Sequence, residues 1–231
     1  MHALDNVCYH ALNTRQSEFA ESFDQARRFM PEVSVIGGFL EPSVRGYESL
    51  AALVKNGGTV NLALESPFQP RGGWSLVFGC PMLQMVYEGN STSLASQAAR
   101  VDRIVQLGVN DVPQMMELTS LTRPGPFSKR THELGTYVGI HVNGRLVAMA
   151  GERMKVPGYT EVSAVCTHPA HTGNGYARAL LTTVVRQICE RGEKPFLHVR
   201  EANVHAVGLY ERMGFLKRVL RHLAVLRKEA S

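Results

Sequence analysis

The stretch Val165-Cys166-Thr167-His168-Pro169-Ala170-His171-Thr172-Gly173-Asn174-Gly175-Tyr176-Ala177-Arg178-Ala179-Leu180-Leu181 carries the densest chemical signal in the chain. It reads as the end of a strand, a proline turn, a glycine-bearing loop and the opening of a helix. Glycines at 173 and 175 let the backbone approach a ligand closely. The first N–H groups of a helix have no internal acceptor, and the helix dipole favours negative charge there. The loop from Thr172 to Arg178 is therefore an anion cradle suited to a pyrophosphate.

Three ligand classes compete for such a cradle. A P-loop is excluded because no Gly-Lys-Ser/Thr follows. A dinucleotide fingerprint needs a third glycine where Arg178 stands. It also belongs to the opening strand of a Rossmann unit, whereas the elements upstream here read as a hairpin meander. Coenzyme A is the ligand class left.

Around the cradle the element order is legible. Asp111 to Leu121 has helical spacing, and Arg123-Pro124-Gly125-Pro126 ends it. Asn143-Gly144 sits between the apolar runs Tyr137–Val142 and Arg145–Met154, a strong hairpin signal because a type I′ turn needs positive φ twice. Tyr159 to Thr167 reads as a third strand. The helix from Gly175 to about Arg191 stacks Ala177, Leu180, Leu181, Val184 and Ile188 on one stripe. Pro195–Val199 follows as a strand, Asn203–Met213 as a helix and Phe215–Leu226 as a strand.

A second signature completes the pattern: Asn203-Val204-His205-Ala206-Val207-Gly208-Leu209-Tyr210-Glu211-Arg212-Met213-Gly214-Phe215. Together with the cradle, in this order and at this spacing, it resembles the GNAT superfamily of acyl-CoA-dependent N-acyltransferases. The resemblance spans roughly Val101 to Arg227, somewhat over half the chain. It implies an α/β fold (a mixed α+β sheet) splayed to admit acetyl-CoA as acyl donor, and transfer of the acyl group to a primary amine. The backbone of Val165, Cys166 and Thr167 is expected to pair with the pantetheine arm. Thr172, Gly173, Asn174, Gly175, Tyr176, Ala177 and Arg178 are expected to hold the pyrophosphate. Asn203 is expected to cap the next helix or contact coenzyme A. Tyr210 is expected near the thioester sulfur, as general acid. The family usually carries Gln or Arg where Thr172 stands, so one charge-assisted contact is missing.

A base must also take a proton from the attacking amine. Glu161, Ser163, Val165 and Thr167 share one face of their strand by period-two counting, as do Phe196, His198 and Arg200 on the next. His198 and Glu161 are equal candidates, with Glu152 behind them. The acceptor is open: a small amine, an amino acid, a protein N-terminus or a lysine. Arg123 and Arg130, in the Thr122–Glu133 loop, would favour an acidic acceptor, and surface solvation explains them equally well. A non-catalytic acyl-CoA-binding regulatory protein is the alternative reading, kept open by Thr172.

The first 88 residues read as a smaller α/β domain. Phe19, Phe23, Ala26 and Met30 give a helix over Ser17–Met30, stopped by Pro31. Val33–Phe39 reads as a strand and Ser43–Lys55 as a helix. Val60–Leu64, Ser75–Phe78 and Leu83–Tyr87 read as further strands. This segment could be a degenerate GNAT-like half, as in tandem members of the family. Residues 89–99 are small and polar, an expected linker, and 100–231 form the expected catalytic domain.

Composition sets the outer limits. The chain has 231 residues, 44% hydrophobic and 19% charged, which excludes wholesale disorder and coiled coil. No apolar run reaches the roughly 20 residues of a membrane helix, and the N-terminus lacks a secretory pattern. Cys8, Cys80, Cys166 and Cys189 form no CxxC pair, and no His or Cys pairs sit at metal-ligand spacing. A reduced, cytoplasmic protein without metal is expected, as monomer or homodimer. The net charge of +5 is spread out, with enrichment only at Lys217, Arg218, Arg221, Arg227 and Lys228. No aromatic-plus-basic motif accompanies it, so a small phosphorylated ligand is expected rather than nucleic acid.

Overall fold

The computed structural model describes residues 2–89 and 104–230. Helix α1 (Val7–Asn13) opens the chain and buries Val7, Cys8, Ala11 and Leu12. Strands β1 (Ala20–Phe23), β2 (Ala26–Phe29) and β3 (Gly37–Phe39) form a small antiparallel sheet. Helix α2 (Val44–Leu53) starts at Ser43, whose Oγ accepts from the Gly46 N–H. Strands β4 (Thr59–Leu64), β5 (Trp74–Tyr87) and β6 (Val105–Leu107) come next, then helix α3 (Val112–Thr122). The hairpin β7 (Tyr137–Val142) and β8 (Arg145–Val156) turns through Asn143 at φ 51° and Gly144 at φ 76°. Strand β9 (Tyr159–Thr167), helix α4 (Tyr176–Glu190), strand β10 (Lys194–Arg200), helix α5 (Val204–Arg212) and strand β11 (Phe215–Lys228) complete the order.

Eight strands form one mixed sheet in the order β4-β11-β5-β10-β9-β8-β7-β6. Every neighbouring pair is antiparallel except β9 and β10, which run parallel through the crossover helix α4. The sheet takes β4 and β5 from before residue 89 and the other strands from after it. The expected linker falls, beyond residue 89, outside the described residues.

One face of the sheet carries α4 and α5. Leu180, Leu181, Val184, Val185 and Ile188 pack there on Val138, Ala148, Val162 and Leu197. Facing residues of the other side, Val86, Met154, Val156 and Phe196, pack on Leu4, Val7, Cys8 and Leu12 around α1. The parity switch between Phe196 and Leu197 is the period-two alternation of a strand covered on both faces.

Several local expectations differ from the structure. Ser17–Met30 is not a helix but a short 3-10 turn followed by the β1–β2 hairpin. Asp24 makes the turn at φ 42°, and Glu21 opposes Arg28 and accepts a hydrogen bond from it at 2.6 Å. Phe23, counted on the helical stripe, is 54% exposed. The extended run at 33–39 narrows to β3, with Ile36 bridging Asn61. Ser75–Phe78 and Leu83–Tyr87 are one strand. Pro81 lies one residue beyond the last β10 pair, Arg200 with Met82, where β5 keeps a single neighbour.

No helix among the described residues is long and apolar enough to cross a membrane. No group of three or more His, Cys, Asp and Glu among them is placed to hold a metal ion.

Candidate active site

The parallel strands β9 and β10 pair only at Tyr159–Glu161 with Lys194–Phe196. Beyond that they separate, β10 staying with β5 and β9 with β8. A bulge accompanies the separation. Gly151 pairs with Ser163 and Met149 with Cys166, so Ala164 and Val165 stand against Ala150 alone. Ala164 sits at φ 53°, a strained conformation for a residue with a side chain. The β9 edge from 162 to 167 is thereby left without a β10 partner, open to an added strand.

A cavity of about 540 Å³ opens at this split. Val165, Cys166 and Thr167 line it from β9, His198 and Arg200 from β10, and Asn203 and Tyr210 from the α5 region. Thr122 to Pro126 and the α1 residues Val7 and Cys8 close other walls. Asn203 caps α5, its Oδ1 accepting from the Ala206 N–H at 3.2 Å. Cys166 is buried, and that burial pushes its thiol up to about 11.

Tyr210 is 9% exposed and packs its ring edge-on to Phe215. Burial, with the Cys166 sulfur nearby, pushes its hydroxyl up to about 12, so it stays a protonated phenol at neutral pH.

The cradle lies at the start of α4. Gly173 and Gly175 adopt φ of 82° and 75°. Residues 172–175 and Arg178 are exposed, while Tyr176 and Ala177 are half-buried. Thr172 Oγ1 donates to the Pro169 carbonyl and Asn174 Nδ2 to the His171 carbonyl, which fixes the loop around free backbone N–H groups. A β carbon at Gly173 would meet nothing within 4 Å, so glycine serves the backbone angle there, not space.

A buried polar chain links the four strands β8, β9, β10 and β5. Arg153 donates to both oxygens of Glu161, at 2.8 and 2.7 Å. Glu161 Oε1 also lies 2.8 Å from His198 Nδ1, and its Oε2 accepts from the Met154 N–H at 3.3 Å. Burial alone would raise the Glu161 carboxyl, but Arg153 and His198 hold it down to about 2. Gln84 Nε2 donates to the Leu4 carbonyl at 2.9 Å and faces His198 Nε2 at 3.1 Å. Its Oε1 accepts from Arg218 at 2.8 Å, which fixes the amide orientation. The ring therefore carries its proton on Nδ1, towards Glu161, and presents a lone pair on Nε2 to Gln84.

His198 thus reaches a cavity wall and Glu161 does not. Glu161 is 0% exposed and its oxygens are engaged. Glu152, the reserve candidate, is bonded to Lys155 and Arg191. Arg153 and Gln84 are the participants the sequence reading missed. Gln84 is a lone polar residue inside the apolar run Leu83–Tyr87, and Arg153 follows Glu152 directly after the apolar run Leu146–Ala150 and Gly151. Both patterns signal a buried partner.

A second cavity, of about 370 Å³, lies on the α1 face and shares His198, Val7, Cys8, Leu62 and Ala63 with the first. Gln84, Asp5, Arg221, Tyr47, Phe68 and Arg71 also line it.

The family model described as FR47-like protein matches residues 137–223. A solved protein of the GNAT family from Novosphingobium aromaticivorans is 33% identical, covering 100% of both chains at a TM-score of 0.89. A GCN5-related N-acetyltransferase from Kribbella flavida shares the fold at 14% identity and TM-score 0.58, over 95% of this chain and 96% of that one. A GCN5-related N-acetyltransferase-like protein from Streptococcus suis does so at 13% identity and 0.59, over 90% and 82%. No curated protein matches the chain.

Proposed function

Because the chain belongs to the GNAT family, we propose that it transfers an acetyl group from acetyl-CoA to a primary amine by direct attack. The observation that carries this reading is the split between β9 and β10. Its cavity brings together an unpaired strand edge, a protonated phenol and a histidine.

The residues fit an acyl-CoA by independent features. The β9 edge at 162–167 offers main-chain groups to the pantetheine amides. The exposed cradle from Thr172 to Arg178 offers N–H groups to the pyrophosphate. Acetyl-CoA supplies an activated acyl group with a thiolate leaving group. A backbone N–H of β9 near the Ala164 bulge meets the carbonyl oxygen as charge gathers there. Tyr210 gives its hydroxyl proton to the departing sulfur. His198 takes the amine proton on Nε2 once the acceptor displaces Gln84 from that atom. Glu161, with its own proton held off by Arg153, balances the charge the ring then gains.

The regulatory alternative keeps one specific support, which is Thr172 in place of a longer donor. Calorimetric titration with acetyl-CoA, with NAD as control, tests the proposal. Saturable binding of acetyl-CoA alone, together with turnover that Tyr210→Phe removes, is the expected result. Absence of binding at millimolar acetyl-CoA would end the transferase reading. Binding without turnover on any amine would favour the regulatory one.

A further inference from the structure

We propose that the second cavity takes a free amino acid, its amine directed towards His198 and its carboxylate held by Arg71. This deepens the acyl-transfer reading and rests on it. The cavity, about 370 Å³, lies at the small-molecule end of ligand sites. Its inner end is made by His198 and Gln84, both almost fully buried. His198 also borders the split that would hold the acyl group, so an amine entering here arrives at the reacting centre.

The charged groups of the cavity decide the rest of the acceptor. Arg221 is committed to Asp5 at 3.5 Å and Glu65 at 3.1 Å. Arg218, behind Gln84, is committed to Asp5 as well. Arg71 differs. Among the described residues it forms no ion pair, and its Nε is buried with no hydrogen-bond partner. Its guanidinium lies 4.7 Å from the Tyr47 ring centroid, and the Phe39 and Phe68 rings flank Tyr47 at 4.8 and 6.0 Å. The aromatic stack thus holds a half-buried guanidinium in place beside the Tyr47 hydroxyl, with its Nε donor idle. That is the arrangement a carboxylate completes, since its two oxygens match the fork of donors. An amine carrying further positive charge would meet Arg71 unfavourably. The rim carboxylates do not reverse this, because Glu65 is spent on Arg221 and Glu41 is exposed to solvent. Arg130, offered by the sequence as an acid-recognising residue, is tied to Glu133 and Glu32.

The test pairs each common amino acid, and the straight-chain ω-amino acids, with its own carboxamide as acceptor. Wild type, Arg71→Ala and Arg71→Lys are assayed with acetyl-CoA, and acetyl-CoA binding is titrated in the same samples. Wild type should prefer one or more acids over their amides by about tenfold or more in kcat/KM, mainly through KM. Arg71→Ala should erase that preference, acids falling to the level of their own amides with acetyl-CoA still bound, and Arg71→Lys should restore part of it. Amides accepted as well as acids, or a preference that survives Arg71→Ala, would overturn the inference and leave acyl transfer standing. Acetyl-CoA binding with no panel member acetylated would do the same. Loss of acetyl-CoA binding by wild type would remove the underlying reading instead.

Discussion

Glu161 Oε1 and His198 Nδ1 lie 2.8 Å apart on adjacent parallel strands, and Arg153 holds the same carboxylate from β8. Glu161→Leu should cost about 3–5 kcal/mol in urea unfolding, because it leaves Arg153 buried and unpaired. The double variant Arg153→Leu/Glu161→Leu should recover most of that loss. A double variant no more stable than the single would show that the pair is not what holds this region.

The same carboxylate sets an acid limit. Its folded value, about 2, lies below its ordinary 4.5. Stability from this group is therefore fully present above about pH 4.5 and drains away as pH falls towards 2. Unfolding midpoints between pH 6 and pH 2.5 should fall more steeply for wild type than for the double variant. Parallel curves would assign the acid loss to other carboxylates.

Tyr210→Phe keeps the ring that packs on Phe215 and removes the hydroxyl proposed to protonate the leaving sulfur. Turnover should fall by about 10²- to 10⁴-fold, with acetyl-CoA affinity and melting temperature near wild type. Unchanged turnover would move the acid role to another group.

Residues 100–231 alone lack β5, the strand lying between β10 and β11. We expect this fragment to be unfolded or aggregated, with two unpaired strand edges and the apolar surfaces of Met85, Val86 and Tyr87 missing. Circular dichroism and a thermal melt check this. A cooperative melt with full activity would show the N-terminal segment to be dispensable.

How much the sequence discloses varies with the range of the interaction. The hairpin at Asn143-Gly144, the Pro169 turn, the Gly173–Gly175 loop and the Asn203 cap are set by residues adjacent in sequence, so they were legible. The β1–β2 hairpin was not, because Phe19, Phe23, Ala26 and Met30 satisfy helical spacing while the Asp24 turn decides otherwise. Helix α1 carries no strong periodic signal, and its burial comes from Phe196 and Met154, far along the chain. His198 and Glu161 could be named from alternation. Their contact with each other, and with Arg153 and Gln84, depends on strand order and the Ala164 bulge, which no local pattern encodes.

The position of β5 also governs how the chain can fold during synthesis. Its sheet neighbours, β10 and β11, begin at Lys194 and Phe215. β4 likewise has its sheet partner in β11. Throughout translation of the intervening segment, both early strands wait with open edges and an uncovered apolar surface. Strand β11, made after both, seats them. A chain stalled or truncated shortly before Phe215 would therefore be a substrate for chaperones or proteases instead of a slightly shortened native fold.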